Sequence, residues 1–228
     1  MADEARARLA EVWPLFGLSV RTPRLELRYP TDADLVALGD VAGDIHAPDE
    51  RPFGFAWNDT DDLTRRRRIV QHHWEQRGRF APEDWHLNLV TVVDGEVIGT
   101  QGMFATAFPV GRTVHTGSWL TRTRHGEGIG TEMRAAVLHL AFAGLGALRA
   151  ETGALDGNPA STAVTTKLGY RPNGERVHVD GDRRRSEQRY VLEWADWEAR
   201  RRDDIELVGI EPCRPLFGLG TPEGDAVL

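Results

Sequence analysis

The segment best suited to chemistry is the glycine-rich run His125-Gly126-Glu127-Gly128-Ile129-Gly130-Thr131. It follows a run of residues typical of a strand and leads into apolar residues at helical spacing. Three glycines at alternate positions leave backbone amides free to converge on an anion, and the N-terminus of the following helix adds its dipole. The segment therefore predicts a phosphate or pyrophosphate site.

Two other glycine-rich phosphate motifs fit this segment less well. A P-loop has lysine followed by serine or threonine after its second glycine, and the run contains no lysine. The dinucleotide fingerprint has glycine in its sixth place, which is Thr131 when counted from Gly126. Glu151 could serve as the ribose-binding acid of that fold, but the chain has a single strand–loop–helix unit of this type. A nicotinamide- or flavin-dependent oxidoreductase is thus a distant alternative.

A second group of polar residues begins at Asn158. Asn158-Pro159 is typical of the N-cap and first position of a helix, and Gly169 is suited to end that helix. Ser161 lies in its first turn, where a hydroxyl either bonds within the helix or is available to a reactant. Asn158 and Ser161 are therefore candidates for helix capping, for catalysis, or for both.

The elements that must position these residues alternate between strand and helix patterns. Strands are predicted at 24–28, 86–93, 96–104, 114–120, 148–152, 175–180 and 185–193. Helices are predicted after Thr31, over 61–78, and after each of the two polar segments. Antiparallel strands thus precede a strand–loop–helix–strand unit, which indicates an α+β fold with a mixed, mostly antiparallel central sheet. One domain is predicted over 21–200, with extensions at 1–20 and 201–228.

The composition disfavours several classes of protein. The chain has 228 residues and a formal charge of −7, so binding of nucleic acid over its whole surface is unlikely. A single cysteine, Cys213, cannot form an internal disulfide or a CxxC site, and the adjacent His72-His73 pair points apart on a helix, so no metal is expected. No signal-peptide core or membrane-length apolar run is present, which predicts a cytoplasmic protein without membrane attachment.

A five-residue sequence occurs near both ends of the chain. Pro14-Leu15-Phe16-Gly17-Leu18 is repeated as Pro215-Leu216-Phe217-Gly218-Leu219. Either the repeat is a coincidence, or both copies dock apolar side chains onto this subunit or a neighbour. The second interpretation predicts a homo-oligomer, a dimer or larger, in which these segments help to cover apolar surface.

Four segments in order resemble the GNAT family of acyl-CoA-dependent N-acyltransferases. The run at 125–131 and the helix after it are similar to the family's motif A, Q/R-x-x-G-x-G/A, although His125 stands where glutamine or arginine is usual. Asn158 to Ser161 with Lys167-Leu168-Gly169-Tyr170 resembles its N-x-x-S…K-L-G-[F/Y] segment, and the strand at 22–28 resembles its opening strand. Within the family, the chain is most similar to the RimJ/RimL-like branch, and there to a mycobacterial member that binds succinyl-CoA.

The resemblance implies an acyl-CoA co-substrate and a role for individual residues. The pantetheine arm would bond to backbone groups of Trp119, Leu120 and Arg122, between two separating strands. Ser161 would protonate the leaving thiolate, and Asn158 would orient the arm or the substrate. The other implied cofactor-binding residues are His125, Gly126, Gly128, Ile129, Gly130, Thr131 and Lys167.

The predicted reaction is transfer of an acyl group from acyl-CoA to a primary amine of a small molecule. Acetyl is the default acyl group and succinyl the alternative, for which Arg112, Arg122 or Arg124 would supply the cation that a buried carboxylate needs. Acetylation of a protein N-terminus or lysine is a second possibility, and a catalytically silent acyl-CoA-binding module is a third.

The acceptor side of the site is less defined by the sequence. Phe53, Phe55 and Trp57 lie in an aromatic loop and either wall an acceptor pocket or fill the core. His86, His115 and Glu151 lie on predicted strands, but the spacing assigns none of them as the general base.

Overall fold

A computed structural model gives the fold for residues 2–47, 57, 60–180 and 183–220. Phe53 and Phe55 lie outside these described ranges. The helices are α1 (Ala2–Val12), α2 (Asp32–Val41), α3 (Asp62–Arg79), α4 (Phe108–Gly111), α5 (Ile129–His139), α6 (Pro159–Lys167) and α7 (Trp194–Glu198). The strands are β1 (Ser19–Arg21), β2 (Glu26–Arg28), β3 (Asp84–Val93), β4 (Glu96–Thr106), β5 (Thr113–Leu120), β6 (Arg149–Leu155), β7 (Arg171–Asp180), β8 (Arg183–Glu193) and β9 (Glu206–Val208).

The strands form one sheet of nine, in the order β7-β8-β6-β5-β4-β3-β2-β1-β9. All neighbouring pairs are antiparallel except β5 and β6, which run parallel because α5 crosses between them. The predicted α+β fold with a mixed, mostly antiparallel sheet is confirmed.

Local sequence signals account for the main turns and helix starts. Asp94 and Gly95 join β3 to β4 with φ of 52° and 82°, the left-handed geometry that a two-residue hairpin turn requires. Thr31 and Asp34 form a reciprocal capping box at the start of α2. Asn158 caps α6, as the sequence predicted, with Pro159 as the first helical residue.

Helices cover both faces of the sheet. On one face, α5 is buried along its length, and its Met133 and Val137 share the larger hydrophobic core with Leu87 and Leu89 of β3. On the other face, α2 and α3 cover a smaller core that includes Val90. Side chains of β3 alternate between the two faces, so His86 and Asn88 lie on the side of α3.

The two copies of the repeated sequence dock onto this chain. Each lies in a 3-10 helix, Pro14–Gly17 or Glu211–Phe217, and the two helices contact each other. Leu15 and Phe217 are fully buried in the larger core, where the ring of Phe217 meets that of Trp85 edge-on at 4.9 Å. The chain thus covers these apolar side chains itself, which removes the argument that a neighbouring subunit must cover them.

Both predicted extensions also contribute to the sheet. Ser19 and Val20 of β1 pair with Val208 and Leu207 of β9, which forms one edge of the sheet. No helix in the described ranges is long and apolar enough to span a membrane.

Candidate functional site

A cleft opens where β5 and β6 separate. The two strands pair only from Thr113 to His115 and from Arg149 to Glu151, although both continue further. Just beyond the last pair, Thr152 Oγ1 donates to the carbonyl oxygen of Thr116 at 3.0 Å. The cleft has a volume of about 630 Å³ and extends from this separation to the glycine-rich run and the start of α6.

The glycine-rich run has the backbone geometry of an anion site. Gly126 and Gly128 have φ of +81° and +79°, conformations that L side chains rarely adopt, and Gly128 is the N-cap of α5. Within the part of the chain that the structure describes, the amides of Gly126, Gly128 and Gly130 have no hydrogen-bond acceptor. These N–H groups and the helix N-terminus are therefore available to an anionic ligand.

Two residues of the run have other partners. The amide of Thr131 donates to the carbonyl oxygen of Gly128 at 3.1 Å, within the first turn of α5. His125 Nε2 donates to the carbonyl oxygen of Leu120 at 3.0 Å, so the imidazole ties the run to the end of β5. The anion site is thus formed mainly by the glycines, while His125 positions the loop that carries them.

The cleft brings together ten of the twelve residues predicted for catalysis and cofactor binding. They are Trp119, Leu120, His125, Gly126, Gly128, Ile129, Gly130, Thr131, Asn158 and Ser161. Arg122 and Lys167 lie outside its lining. The Arg122 side chain is half-exposed and donates to Asp44 Oδ1 at 2.8 Å, and Lys167 is exposed in the last turn of α6.

Asn158 and Ser161 meet at the start of α6. Asn158 Oδ1 accepts from the amide of Ser161 at 3.0 Å, which is a helix cap. The Ser161 hydroxyl has no hydrogen-bond partner among the described residues and faces the cleft. The cap thus holds a free hydroxyl at the cleft wall, so capping and catalysis are compatible.

An ionic cluster that the sequence analysis missed supports the glycine-rich run. Glu132, 5% exposed, accepts from Thr22 Oγ1 and from Arg24 Nε, each at 2.6 Å. Arg24 also donates to the carbonyl oxygen of Glu127 at 2.9 Å. Burial raises the pKa of Glu132, but the hydrogen bonds from Thr22 and Arg24 outweigh it and lower the pKa below the ordinary value. The cluster fixes the run to the β1–β2 connection.

A buried arginine spans the opening between the strands. Arg134, 4% exposed, donates to Ser118 Oγ on β5 at 3.0 Å and to Thr152 Oγ1 on β6 at 3.2 Å. Its Nε has no hydrogen-bond partner, and no carboxylate among the described residues lies within salt-bridge distance. Burial lowers the pKa of this guanidinium. The floor of the cleft therefore carries a cation without a protein counter-ion in the described part of the chain.

A second pocket, of about 430 Å³, lies on the α3 side of the sheet. It shares Gly117, Ser118 and Trp119 with the cleft, so the two cavities meet along β5. Gly117 pairs with Gly102, which pairs with Asn88, and a Cβ at Gly117 would meet nothing within 4 Å. Gly117 thus leaves a hollow in the face of the sheet. Beside it, the Asn88 side chain fills the space above Gly102, where a Cβ would lie 2.8 Å from Asn88 Oδ1.

Aromatic and imidazole groups surround this hollow. Trp57 lies against Trp119 with ring centroids 5.9 Å apart, and His86 stacks on Phe104 at 4.9 Å. His72 and His73 of α3 complete the wall. Of the three aromatic residues predicted for an acceptor pocket, Trp57 is placed here, while the other two lie outside the described residues.

The three residues considered as a base do not line the same cavity. Glu151 accepts from Arg189 at 2.9 Å and lies 3.7 Å from His115, and neither residue lines the cleft or the second pocket. His86 lines the second pocket. In the described ranges, no three histidine, cysteine or acidic side chains are grouped so as to hold a metal ion.

The fold and the cleft are those of an acyltransferase domain. Residues 24–171 match the family model described as acetyltransferase (GNAT) domain. The chain therefore belongs to the GNAT acetyltransferase family.

The chain is similar in sequence to a curated relative over about half of its length. The probable N-acetyltransferase YjcK of Bacillus subtilis (strain 168) is 30% identical over 119 residues, which cover 51% of this chain and 64% of that protein. The chain thus spans less than two thirds of the length of this relative.

Solved structures of low sequence identity share the fold. Mycobacterium smegmatis RimJ, in complex with CoA-disulfide, superposes with a TM-score of 0.64 at 22% identity, covering 77% of this chain and 85% of that one. RimL, a ribosomal L7/L12 α-N-protein acetyltransferase in complex with coenzyme A, superposes with a TM-score of 0.61 at 18% identity, covering 75% and 95%.

Proposed function

We propose that this protein transfers an acyl group from acyl-CoA to a primary amine of a small molecule. The observation that carries the proposal is the meeting of two cavities along Gly117–Trp119, one with a glycine-rich anion site and one with an aromatic wall. A thioester entering through the cleft and an amine entering through the second pocket would come together at this strand.

The cleft offers contacts for the pyrophosphate, the pantetheine arm and the thioester of an acyl-CoA. The free amides of Gly126, Gly128 and Gly130 would bind the pyrophosphate. The edge of β5 beyond His115 faces β6 without pairing to it. Backbone groups near Trp119 and Leu120 would therefore bond the pantetheine arm as an added strand. A backbone N–H here would also stabilise the oxyanion that forms on the thioester carbonyl.

The reaction requires a nucleophile, a proton acceptor and a protonated leaving group. The nitrogen lone pair of the neutral amine attacks the thioester carbon, a C–N bond forms, and the C–S bond breaks with its electron pair on sulfur. Ser161, with its hydroxyl free at the cleft wall, would donate a proton to that thiolate. The amine nitrogen loses one proton to a base and that proton passes to solvent, while Ser161 regains a proton from solvent.

Acetyl is the default acyl group, and succinyl is the alternative that Arg134 favours. Its buried guanidinium at the floor of the cleft would pair with the free carboxylate of a four-carbon diacid chain. Arg112, considered for this role, donates instead to the carbonyl oxygens of Pro109 and Leu145, and Arg122 pairs with Asp44. Arg124 lines the cleft but lies beside Glu127 at 3.8 Å.

A protein α-amine is the second candidate acceptor. It is favoured by the shared fold with RimL, which is described as an α-N-protein acetyltransferase. The small-molecule acceptor is preferred because the second pocket is a hollow of limited volume, walled by Trp57, Phe104 and Trp119. A cytoplasmic location and a homo-oligomer remain predictions.

A binding panel followed by a turnover assay tests the proposal. Acetyl-CoA, succinyl-CoA, CoA and NAD are compared by thermal shift, and a ligand at 100 times its Kd raises the stability by about 2.7 kcal/mol. We expect stabilisation by the CoA compounds and none by NAD. Release of free CoA thiol is then followed with small amines and with a short peptide that has a free α-amine. Binding without turnover would leave the silent acyl-CoA-binding module as the function.

Competition between the two thioesters decides the acyl group. Tighter binding of succinyl-CoA in the wild type, reversed in Arg134→Gln, would establish Arg134 as the carboxylate partner. If the wild type binds acetyl-CoA at least tenfold more tightly than succinyl-CoA, succinyl is rejected as the acyl group.

A further inference from the structure

We infer that His86 is the general base that accepts a proton from the acceptor amine. The inference rests on the proposed function, because it assumes that the second pocket holds the amine. The sequence alone did not decide which of His86, His115 and Glu151 is the general base.

The register of three strands places His86 beside the hollow. His86 pairs with Phe104, and two residues further along the same strand Asn88 pairs with Gly102. The imidazole therefore lies in the row of side chains next to the row that contains Gly102 and Gly117. Residues two apart on a strand share a face, which puts His86 and Asn88 on the same side as the open space above Gly117. His86 and Gly117 line the same pocket, so an amine bound there lies between this ring and the strand that would carry the thioester.

The ring of His86 is held in place by stacking. Its plane is 7° from that of Phe104, with centroids 4.9 Å apart. His115 stacks on the same phenyl ring, at 5.2 Å and 15°, but its Nδ1 lies 3.7 Å from Glu151 on β6 and it does not line the pocket. Two imidazoles thus stack on the ring of Phe104, and of the two it is His86 that lines the second pocket, where the acceptor amine would bind.

The other histidines of the pocket are less suited to the role. His73 is buried, and this burial lowers its pKa to about 3, so it is a very weak base. His72 is exposed on α3, away from the floor of the sheet. His86 is half-buried on the floor itself.

The surroundings of His86 keep its imidazole neutral at neutral pH. Burial is the main cause that lowers its pKa below the ordinary value, and His72 and Arg79 on α3 act in the same direction. Asp84, on the same strand, acts in the opposite direction. His115 lies beyond Phe104. A neutral imidazole has a free lone pair with which to accept a proton.

The proton transfer completes the reaction written above. Attack by the amine leaves a positive charge on nitrogen in the adduct, and one N–H proton moves to the free ring nitrogen of His86 as the C–S bond breaks. The imidazolium then releases this proton to solvent. Since Ser161 regains a proton from solvent, a neutral amine and the acyl thioester thus give an amide and a thiol, and the enzyme is unchanged.

The matched pair His86→Gln and His115→Gln tests the inference, since both remove an imidazole from the same phenyl ring. Acetyl-CoA and 2-phenylethylamine are the probes. We expect His86→Gln to lower kcat by about 10²-fold at neutral pH, with an unchanged Kd for acetyl-CoA. Protonation of the amine itself lowers kcat/KM with falling pH in every variant, but the additional decline that comes from protonation of the enzyme's base should disappear in this variant. His115→Gln should keep both the rate and that decline.

Histidine ring resonances followed by NMR give a readout that does not depend on turnover. Addition of 2-phenylethylamine should shift the resonances of His86 and leave those of His115 in place. The inference is overturned if His86→Gln retains the rate and the additional acidic decline, if His86 carries a proton at neutral pH, or if the amine leaves its ring unperturbed. Loss of acetyl-CoA binding in the wild type would instead reject the proposed function.

Discussion

At the residue scale, Gly128 combines the two requirements of the proposed anion site. Its φ of +79° turns the chain into α5, and its amide has no hydrogen-bond acceptor among the described residues. A Cβ there would have room, since its nearest neighbour is Arg24 Nη2 at 3.6 Å, but the backbone conformation is unfavourable for any L side chain.

Gly128→Val should abolish acyl-CoA binding while the protein still folds. A β-branched residue would shift the backbone out of the left-handed region, at a cost of about 1–3 kcal/mol, and misdirect the amides. Calorimetric titration with acetyl-CoA and the Tm measure both effects.

Gly95→Val is the matched control for backbone strain. Gly95 has φ of +82° and open space around its Cβ position, and it lies in the β3–β4 turn outside the cleft lining. The control should lose a similar amount of stability and bind acetyl-CoA normally. Normal binding by Gly128→Val would reject the anion-site assignment.

Ser161→Ala separates a catalytic hydroxyl from a structural one. Because this hydroxyl has no partner among the described residues, its removal should change the Tm little. If it protonates the thiolate, kcat should fall by about 10²-fold, the low end for general acid catalysis, since a thiolate leaves easily. Acyl-CoA affinity should remain, because the hydroxyl acts as charge develops on sulfur.

Thr162→Ala controls for the loss of a hydroxyl in the same helical turn. Thr162 Oγ1 donates to the carbonyl oxygen of Asn158 at 3.3 Å and does not line the cleft. Single-turnover rates of the two variants are compared with their Tm values. If Ser161→Ala is fully active, Ser161 is not the acid that protonates the thiolate.

At the element scale, the start of α5 depends on a strand connection far away in the sequence. Glu132 lies 108 residues from Arg24, and their contact joins the glycine-rich run to the β1–β2 connection. The ionised carboxylate is the form that this contact stabilises.

Glu132→Gln should lower the stability at neutral pH and alter its pH dependence. The pKa of Glu132 is depressed in the folded protein, so its contribution is present above the ordinary value of 4.5 and is lost as the pH falls through the folded pKa. We expect a loss of about 1.5–3 kcal/mol at pH 7, typical of hydrogen bonds to a charged group. Chemical denaturation between pH 3 and pH 8 measures it.

Glu75→Gln is the control for removal of a charge. Glu75 pairs with Arg79 on the exposed surface of α3, at 2.8 Å, and exposed pairs of this kind contribute little. The difference between wild type and Glu132→Gln should shrink in acid, where both side chains are neutral. A difference that is constant over the whole pH range would contradict the assigned role of the carboxylate.

The elements of the cleft could be predicted because their sequence signals are local. Asp94-Gly95 fixes a hairpin, Asn158-Pro159 starts a helix, and the glycines of 125–131 mark the turn into α5. β1 and β9 were not predicted, because three residues without a longer alternating run around them carry too little periodicity. The equally short β2 was predicted because the alternating run 24–28 extends beyond it.

The second pocket could not be predicted from the sequence, because it depends on contacts between strands that are distant in the chain. Its floor is formed by Asn88, Gly102 and Gly117, which come together only through the register of β3, β4 and β5. Two glycines within predicted strands were the available signal of a close approach, but the sequence does not show that they are neighbours. The Arg24–Glu132 contact and the burial of Arg134 depend on packing in the same way.

At the scale of the whole molecule, the two ends of the chain complete one core. The 3-10 helix Glu211–Phe217 covers the end of the sheet near β3, where Phe217 contacts the rings of Trp85 and Phe80 at 4.9 and 5.5 Å. Cys213 is buried beside them, and this burial raises the pKa of its thiol to about 12, so the thiol is unreactive.

Phe217→Ala should destabilise the fold without affecting the chemistry of the cleft. Removal of a fully buried phenyl ring costs about 3–5 kcal/mol, because the loss of apolar burial is added to the cavity that remains. Denaturant unfolding measures the loss, and sedimentation of the same preparation gives the mass of the assembly. A chain that ends at Asp204 lacks β9 and this whole segment, so it should be less stable still.

Leu148→Ala is the control, since Leu148 is an exposed apolar residue that is 60% accessible. It should change the unfolding free energy by less than about 0.5 kcal/mol. If Phe217 only completes the core of its own chain, Phe217→Ala should lose stability while the mass of the assembly stays the same. An unchanged stability together with a smaller mass would mean that the segment covers a neighbouring subunit in solution, as the repeated sequence first suggested.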